Sequence, residues 1–157
     1  MMPYFRSQSS PPRLAEGYQL AWETLPVDVD DVQVLLQRCG SPDRPIARLA
    51  LALERSSWSV RVRDPDQRLV GFLRITSDGA LNANLWDLAV DPEDPERQMV
   101  LSVLIHSAVS SLRRELSGCS ISLAAPPGTL DVLEGQGFLV DPNGIRAMGL
   151  ELGNRSG

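Results

Sequence analysis

"LVGFLRITSDGALNANLWDLAVDP", residues 69–92, is the stretch whose reading decides the fold. Two runs with strand character flank Ser77-Asp78-Gly79, which predicts a hairpin. One more strand precedes it: "WSVRVRD" alternates Trp58, Val60 and Val62 against Ser59, Arg61 and Arg63, and "DPDQ" turns the chain back. Three successive strands therefore form an antiparallel meander. Past Pro92 the period changes. Leu101, Leu104, Ile105, Ala108 and Leu112 recur at helical spacing within about Glu96 to Leu116, so the last strand runs through the acidic turn "DPEDPE" into a long helix.

Upstream, "YQLAWETL" reads as a first strand. Asp28 or Asp30 then caps a helix carrying Val32, Leu35, Leu36 and Cys39 on one face, stopped by Gly40. Pro45 suits the first turn of a second helix, whose stripe is Ile46, Leu49, Ala50 and Leu53. Downstream come a strand in "SGCSISLAA", a Pro-Pro-Gly break, a short helix around Thr129 to Glu134, and two final strands split by "DPNG". The order β-α-α-β-β-β-α-β-α-β-β predicts an α/β domain, a mixed, mostly antiparallel sheet with helices on both faces. Residues 1–17 are Pro/Ser-rich and unpatterned, which predicts a flexible arm, mobile or loosely docked, that is set apart from the fold; 18–152 form one domain and 153–157 a short tail.

With 157 residues, 43% of them apolar, the chain suffices for one domain with a real core. A net charge of −5 leaves no basic surplus for nucleic acid or an anionic membrane. No stretch reaches the roughly 18 apolar residues of a membrane span, and no signal peptide opens the chain, so a soluble, cytosolic protein is expected. All 15 basic residues are arginine, which excludes acetylation of an internal lysine. Cys39 and Cys119 lack metal-type spacing and read as small core residues in a reducing compartment.

The element order, the string at 69–92 and "GQGFLVDPNGIRAM" after the long helix together resemble the GNAT family of N-acetyltransferases, closest to its cyanobacterial and plastid branch. The resemblance spans about Tyr18 to Leu152. It implies acetyl transfer from acetyl-CoA to a primary amine of a small molecule or protein, with a homodimer possible. It also implies that the fourth strand splays from the fifth and that acetyl-CoA lies in the opening, its pyrophosphate at the N-terminus of the long helix. Leu88, Ala89 and Val90 map to that strand. Arg97, Gln98, Met99, Val100, Leu101 and Ser102 map to the phosphate loop, where the family carries two glycines. Val100 and Ser102 stand at those glycines in one register, Met99 and Leu101 in the other.

Glycine lets backbone approach a pyrophosphate closely, and a β-branched valine would push it outward. Asp91, Glu93, Asp94 and Glu96 either cap the helix and complement its dipole, or each repel a phosphate by about 1 kcal/mol at 4 Å in water. Weak or absent acetyl-CoA binding, a degenerate site, follows from that pattern. Asp87 is the candidate base, acting directly or through water, or else a structural carboxylate near a strand splay. Alternation puts it on the same face as Ala83, Leu85 and Ala89. Leu133 occupies the position of the family's acid tyrosine and has no proton to give. Tyr4 and Tyr18 are not natural substitutes, Asn82 and Asn84 read as solvated strand polars, and His106 has no evident partner in mid-helix. Two functions follow: an N-acetyltransferase, or a non-catalytic binding or regulatory module on the same scaffold.

Overall fold

The computed structural model describes residues 10–23 and 28–153; Tyr4 and the end of the expected first strand, Thr24 and Leu25, lie outside them. Five strands form one sheet: β1 (Gln19–Glu23), β2 (Trp58–Arg63), β3 (Leu69–Ser77), β4 (Asn82–Val90) and β5 (Ser120–Leu123). They lie side by side in chain order, antiparallel except for the parallel pair β4 and β5. Parallel neighbours need a crossover. Helix α3 (Arg97–Glu115) provides it.

Helices α1 (Val29–Arg38) and α2 (Ile46–Arg55) cover one face of the sheet, while α3 and α4 (Leu130–Gly135) cover the other. The expected helix signals operate. Asp28 caps α1 by accepting the Asp30 N–H at 3.1 Å, and Gly40 leaves the helix at φ +84. Leu73, Ile75, Leu85 and Leu88 pack with Leu101, Leu104, Ile105 and Ala108 of α3, and on the opposite face Phe72 and Ala89 pack with Val32, Leu35, Leu36 and Leu49. Because both faces are covered, β2 is buried nearly throughout. Arg61, expected on a polar face, is one of the most buried side chains.

Gly71 is where α3 rests on the sheet. A Cβ there would lie 2.6 Å from Val100 Cγ1 and 3.0 Å from Leu104 Cδ1, so only glycine admits the helix at this distance. Leu14 of the N-terminal arm packs against the same core, and Gly17, at φ +83, lies close against Pro65. No helix among the described residues is long and apolar enough to cross a membrane.

The two final strands expected around "DPNG" do not form. The turn closes as a short 3-10 segment, Pro142–Gly144, with Asp141 and Asn143 at positive φ, and the flanking residues pair with no strand among those described. A hairpin of such short arms is marginal unless it adds to a larger sheet. Here its apolar side chains stay in solvent.

Candidate functional site

Strand β4 carries one residue too many. Phe72 pairs with Ala89 but Arg74 with Trp86, so Leu73 alone faces both Asp87 and Leu88. This is a β-bulge, with Asp87 in the left-handed region at φ 56. Just before it β4 loses its other neighbour: pairing with β5 runs only from Asn82↔Ser120 to Leu85↔Leu123. Ser122 Oγ donates to Asn84 Oδ1 at 2.6 Å near the end of the paired region, so Asn84 joins two strands rather than facing solvent alone.

Beyond that point the strands part around a cleft of about 410 Å³. Leu88, Ala89 and Val90 form one wall, Pro126 to Thr129 line the opposite side, and Arg97, Gln98 and Leu101 of α3 line the end. Arg38 and Cys39, at the end of α1, complete the lining. Six of the nine expected cofactor positions are thus brought together. The other three lie elsewhere. Met99 is on the outer side of the helix, Ser102 Oγ donates to the Gln98 carbonyl at 2.9 Å, and Val100 is fully buried against Gly71. The expectation that the Val100 side chain displaces a phosphate is therefore corrected: that side chain faces the core.

The expected repulsion from four carboxylates is corrected too. None of them lines the cleft. Asp91 is buried, bonded to the Arg38 guanidinium and accepting the Glu93 N–H at 3.0 Å. Asp94 is buried as well, accepting the Tyr18 hydroxyl at 3.1 Å and the Glu96 N–H at 2.8 Å. Burial, and then Asp94, push the Tyr18 hydroxyl up to about 12. Glu93 and Glu96 lie on the outer side of the turn. The charged side chains that do line the cleft are arginines: Arg38, whose charge is shared with Asp91, and Arg97, braced by a 3.1 Å bond to the Pro92 carbonyl. In the first turn of α3 the Gln98 and Met99 amides have no backbone acceptor among the described residues, whereas the Val100 amide donates to the Glu96 carbonyl at 2.9 Å. Free amides, a helix dipole and a guanidinium at one place favour an anion.

Asp87 does not line the cleft. Its carboxylate lies on the α1/α2 side, bonded to Arg74 and, at 2.9 Å, to Arg44. Burial by itself would raise this group, but the two guanidiniums outweigh it and hold the carboxyl below its usual range. The Arg74 guanidinium also lies 5.7 Å from the centre of the Trp86 ring. A carboxylate so held is a weak proton acceptor and a strong structural anchor.

Three other positions differ in kind from a proton-transfer group in the cleft. Leu133 is buried in the core, and His106 lies outside the cleft with Ser110 Oγ at 3.5 Å. Cys39 is the residue that sequence reasoning misplaced. It was expected in the core, but α1 ends at Arg38, so Cys39 is the C-cap, exposed at the cleft. Its thiol donates to the Val90 carbonyl at 3.2 Å, and partial burial of the sulfur pushes it up from its ordinary value.

A mixed sheet whose one parallel pair opens into a cleft beside an anion-attracting helix terminus defines a class of α/β protein with a site between two central strands. Sequence and structure comparisons specify the family. The chain is 32% identical over 126 residues to an uncharacterized N-acetyltransferase, ycf52, of Pyropia yezoensis, covering 78% of this chain and 71% of the relative. It is 33% identical over 141 residues to the chloroplastic GCN5-related N-acetyltransferase 2 of Arabidopsis thaliana, again over 78% of this chain, and spans 54% of that protein's length. A probable acetyltransferase from Staphylococcus aureus superposes with a TM-score of 0.73 at 16% identity, covering 86% of this chain and 99% of that one. The GNAT-family acetyltransferase YhbS of Escherichia coli, in complex with CoA, superposes with a TM-score of 0.55 at 15% identity, covering 76% and 68%. No family model matches. The chain belongs to the GCN5-related N-acetyltransferase family, GNAT. These relatives support acetyl transfer and do not favour the non-catalytic module.

Proposed function

We propose that the chain transfers an acetyl group from acetyl-CoA to a primary amine, binding the cosubstrate in the cleft between β4 and β5. The observation that carries this reading is the backbone edge of residues 86–90, which has no β5 partner and leads to the N-terminus of α3. Acetyl-CoA supplies a thioester activated for acyl transfer. Leu88 to Val90 offer main-chain groups to an extended, amide-bearing arm much as a neighbouring strand would. The Gln98 and Met99 amides and Arg97 hold the diphosphate. Main-chain N–H groups past Leu85 stabilise the negative charge that develops on the acyl oxygen.

The acceptor nitrogen attacks the carbonyl carbon, the C–S bond breaks, and the sulfur leaves as a thiolate. Two protons leave the acceptor nitrogen, one from the ammonium before attack and one from the tetrahedral adduct, the second passing through water to the thiolate to give the CoA thiol. Among the described residues lining the cleft there is no carboxylate and no imidazole, and Asp87 is held by its arginines. In this reading the ammonium gives its proton to water, and the rate follows the acceptor's own pKa. Both free cysteines fit a reducing, aqueous compartment.

Calorimetric titration with acetyl-CoA tests the proposal. The expected dissociation constant lies below about 100 μM, or about 5.5 kcal/mol of binding, and Arg97→Gln weakens it by about tenfold. Bound acetyl-CoA should also slow alkylation of Cys39 while leaving that of Cys119, which lies outside the cleft, unchanged. Absence of both heat and protection would overturn the assignment.

A further inference from the structure

The turn into α3 can be followed amide by amide. The Asp91 N–H donates to the Val70 carbonyl at 2.8 Å, and those of Glu93 and Asp94 both donate to Asp91. The Glu96 N–H donates to the Asp94 carboxylate at 2.8 Å and the Arg97 N–H to the Asp94 carbonyl at 3.2 Å. Pro92 and Pro95 have no N–H, and Val100 bonds back to Glu96. Among the described residues of this stretch, only the Gln98 and Met99 amides are left over. Asp94 sets where that free pair begins, because it takes both amides just before it, one with its side chain and one with its main chain.

Asp94 is buried and does not line the cleft. Its carboxylate is gripped from across the sheet by the Tyr18 hydroxyl, 3.1 Å and 3.2 Å from its two oxygens. Tyr18 stands just before β1, the edge strand farthest from β5. It is itself well fixed: its ring packs against the α3 core, its N–H donates to the Ala15 carbonyl at 3.2 Å, and its neighbour Gln19 pairs with Arg63. We propose that Tyr18 is a positioning residue for acetyl-CoA: acting through Asp94, it aims the Gln98 and Met99 amides at the diphosphate, a role that rests on the acetyl-CoA reading above. Tyr18 touches no part of the cleft, so its effect passes entirely through the carboxylate. Two aspartate turns and a distant phenol thus shape an anion site in a stretch that holds no glycine.

Calorimetry with acetyl-CoA on the full chain tests this. Tyr18→Phe and Asp94→Ala should each weaken binding by about tenfold, while Asp94→Asn, which keeps an acceptor for both Tyr18 and Glu96, should stay within about twofold of the parent. In the Asp94→Ala background, Tyr18→Phe should change the affinity no further. Amide spectra of the unliganded chain should show Tyr18→Phe shifting Glu96 to Met99 and leaving Leu88 to Val90 in place. A parent that gives no heat removes the acetyl-CoA reading and this role with it. A parent that binds while Tyr18→Phe binds equally well overturns the role alone. So does a folded Asp94→Ala that keeps the parent's affinity, whatever Tyr18→Phe does, or a Tyr18→Phe loss that persists without the Asp94 carboxylate.

Discussion

Asp87 shows how one residue can look catalytic and act structurally. Its two guanidinium partners stabilise the charged form, so its folded pKa lies below the unfolded value of about 3.9. That stabilisation is fully present above about pH 4 and is lost as pH falls through the folded pKa. Asp87→Asn keeps a side chain that tolerates the left-handed backbone. It should cost about 2 kcal/mol at neutral pH, because Arg44 and Arg74 lose their counter-charge. Urea midpoints at pH 7, 5 and 3 should show the gap between variant and parent narrowing only below pH 4; a constant gap would exclude this linkage. The sequence singled out Leu88, Ala89, Val90, Arg97, Gln98 and Leu101, and these line one cleft. It left the turn's carboxylates open between capping and repulsion, because spacing does not reveal that Asp91 and Asp94 turn inward to Arg38 and Tyr18, partners 53 and 76 residues away.

At the scale of elements, the seating of α3 on Gly71 controls the cleft as well as the core. Gly71→Ala inserts a methyl where Val100 and Leu104 already meet the sheet, and should cost about 1–3 kcal/mol. Val100→Ala, which empties part of the same contact, should cost about 2 kcal/mol alone. Because the two side chains would compete for one space, the double variant should lose less than the two single variants added together. Denaturant melts of all four proteins provide the cycle, and strict additivity would show that helix and sheet have room to adjust. The helices and the meander were legible because their signals are local: an Asp at a cap, a glycine past a helix end, a Ser-Asp-Gly turn. The bulge was not. Strict alternation groups Asp87 with Ala83 and Leu85, yet those two pack beneath α3 while Asp87 turns to the arginines on the other face. The C-terminal hairpin failed for a different reason: its pattern is strand-like, but strand pattern does not say which edge will receive it.

The whole molecule divides into two jobs at one place along β4. Up to Leu85 the sheet is continuous and serves stability; past the bulge it parts and becomes a recess. Bulged strands bend and twist more sharply, so the surplus residue helps turn β4 away from β5. That makes the recess a matter of counting. In genetic terms, an in-frame loss of the single codon for Asp87 would restore the regular two-residue step and realign Leu88, Ala89 and Val90 with the strand before them. The product should still fold, less stably for want of the carboxylate between Arg44 and Arg74, but give no heat with acetyl-CoA. Inserting an alanine at the same point should bring back binding without bringing back the lost acid stability. A lineage carrying such a deletion would keep the scaffold and surrender the substrate in one mutational step.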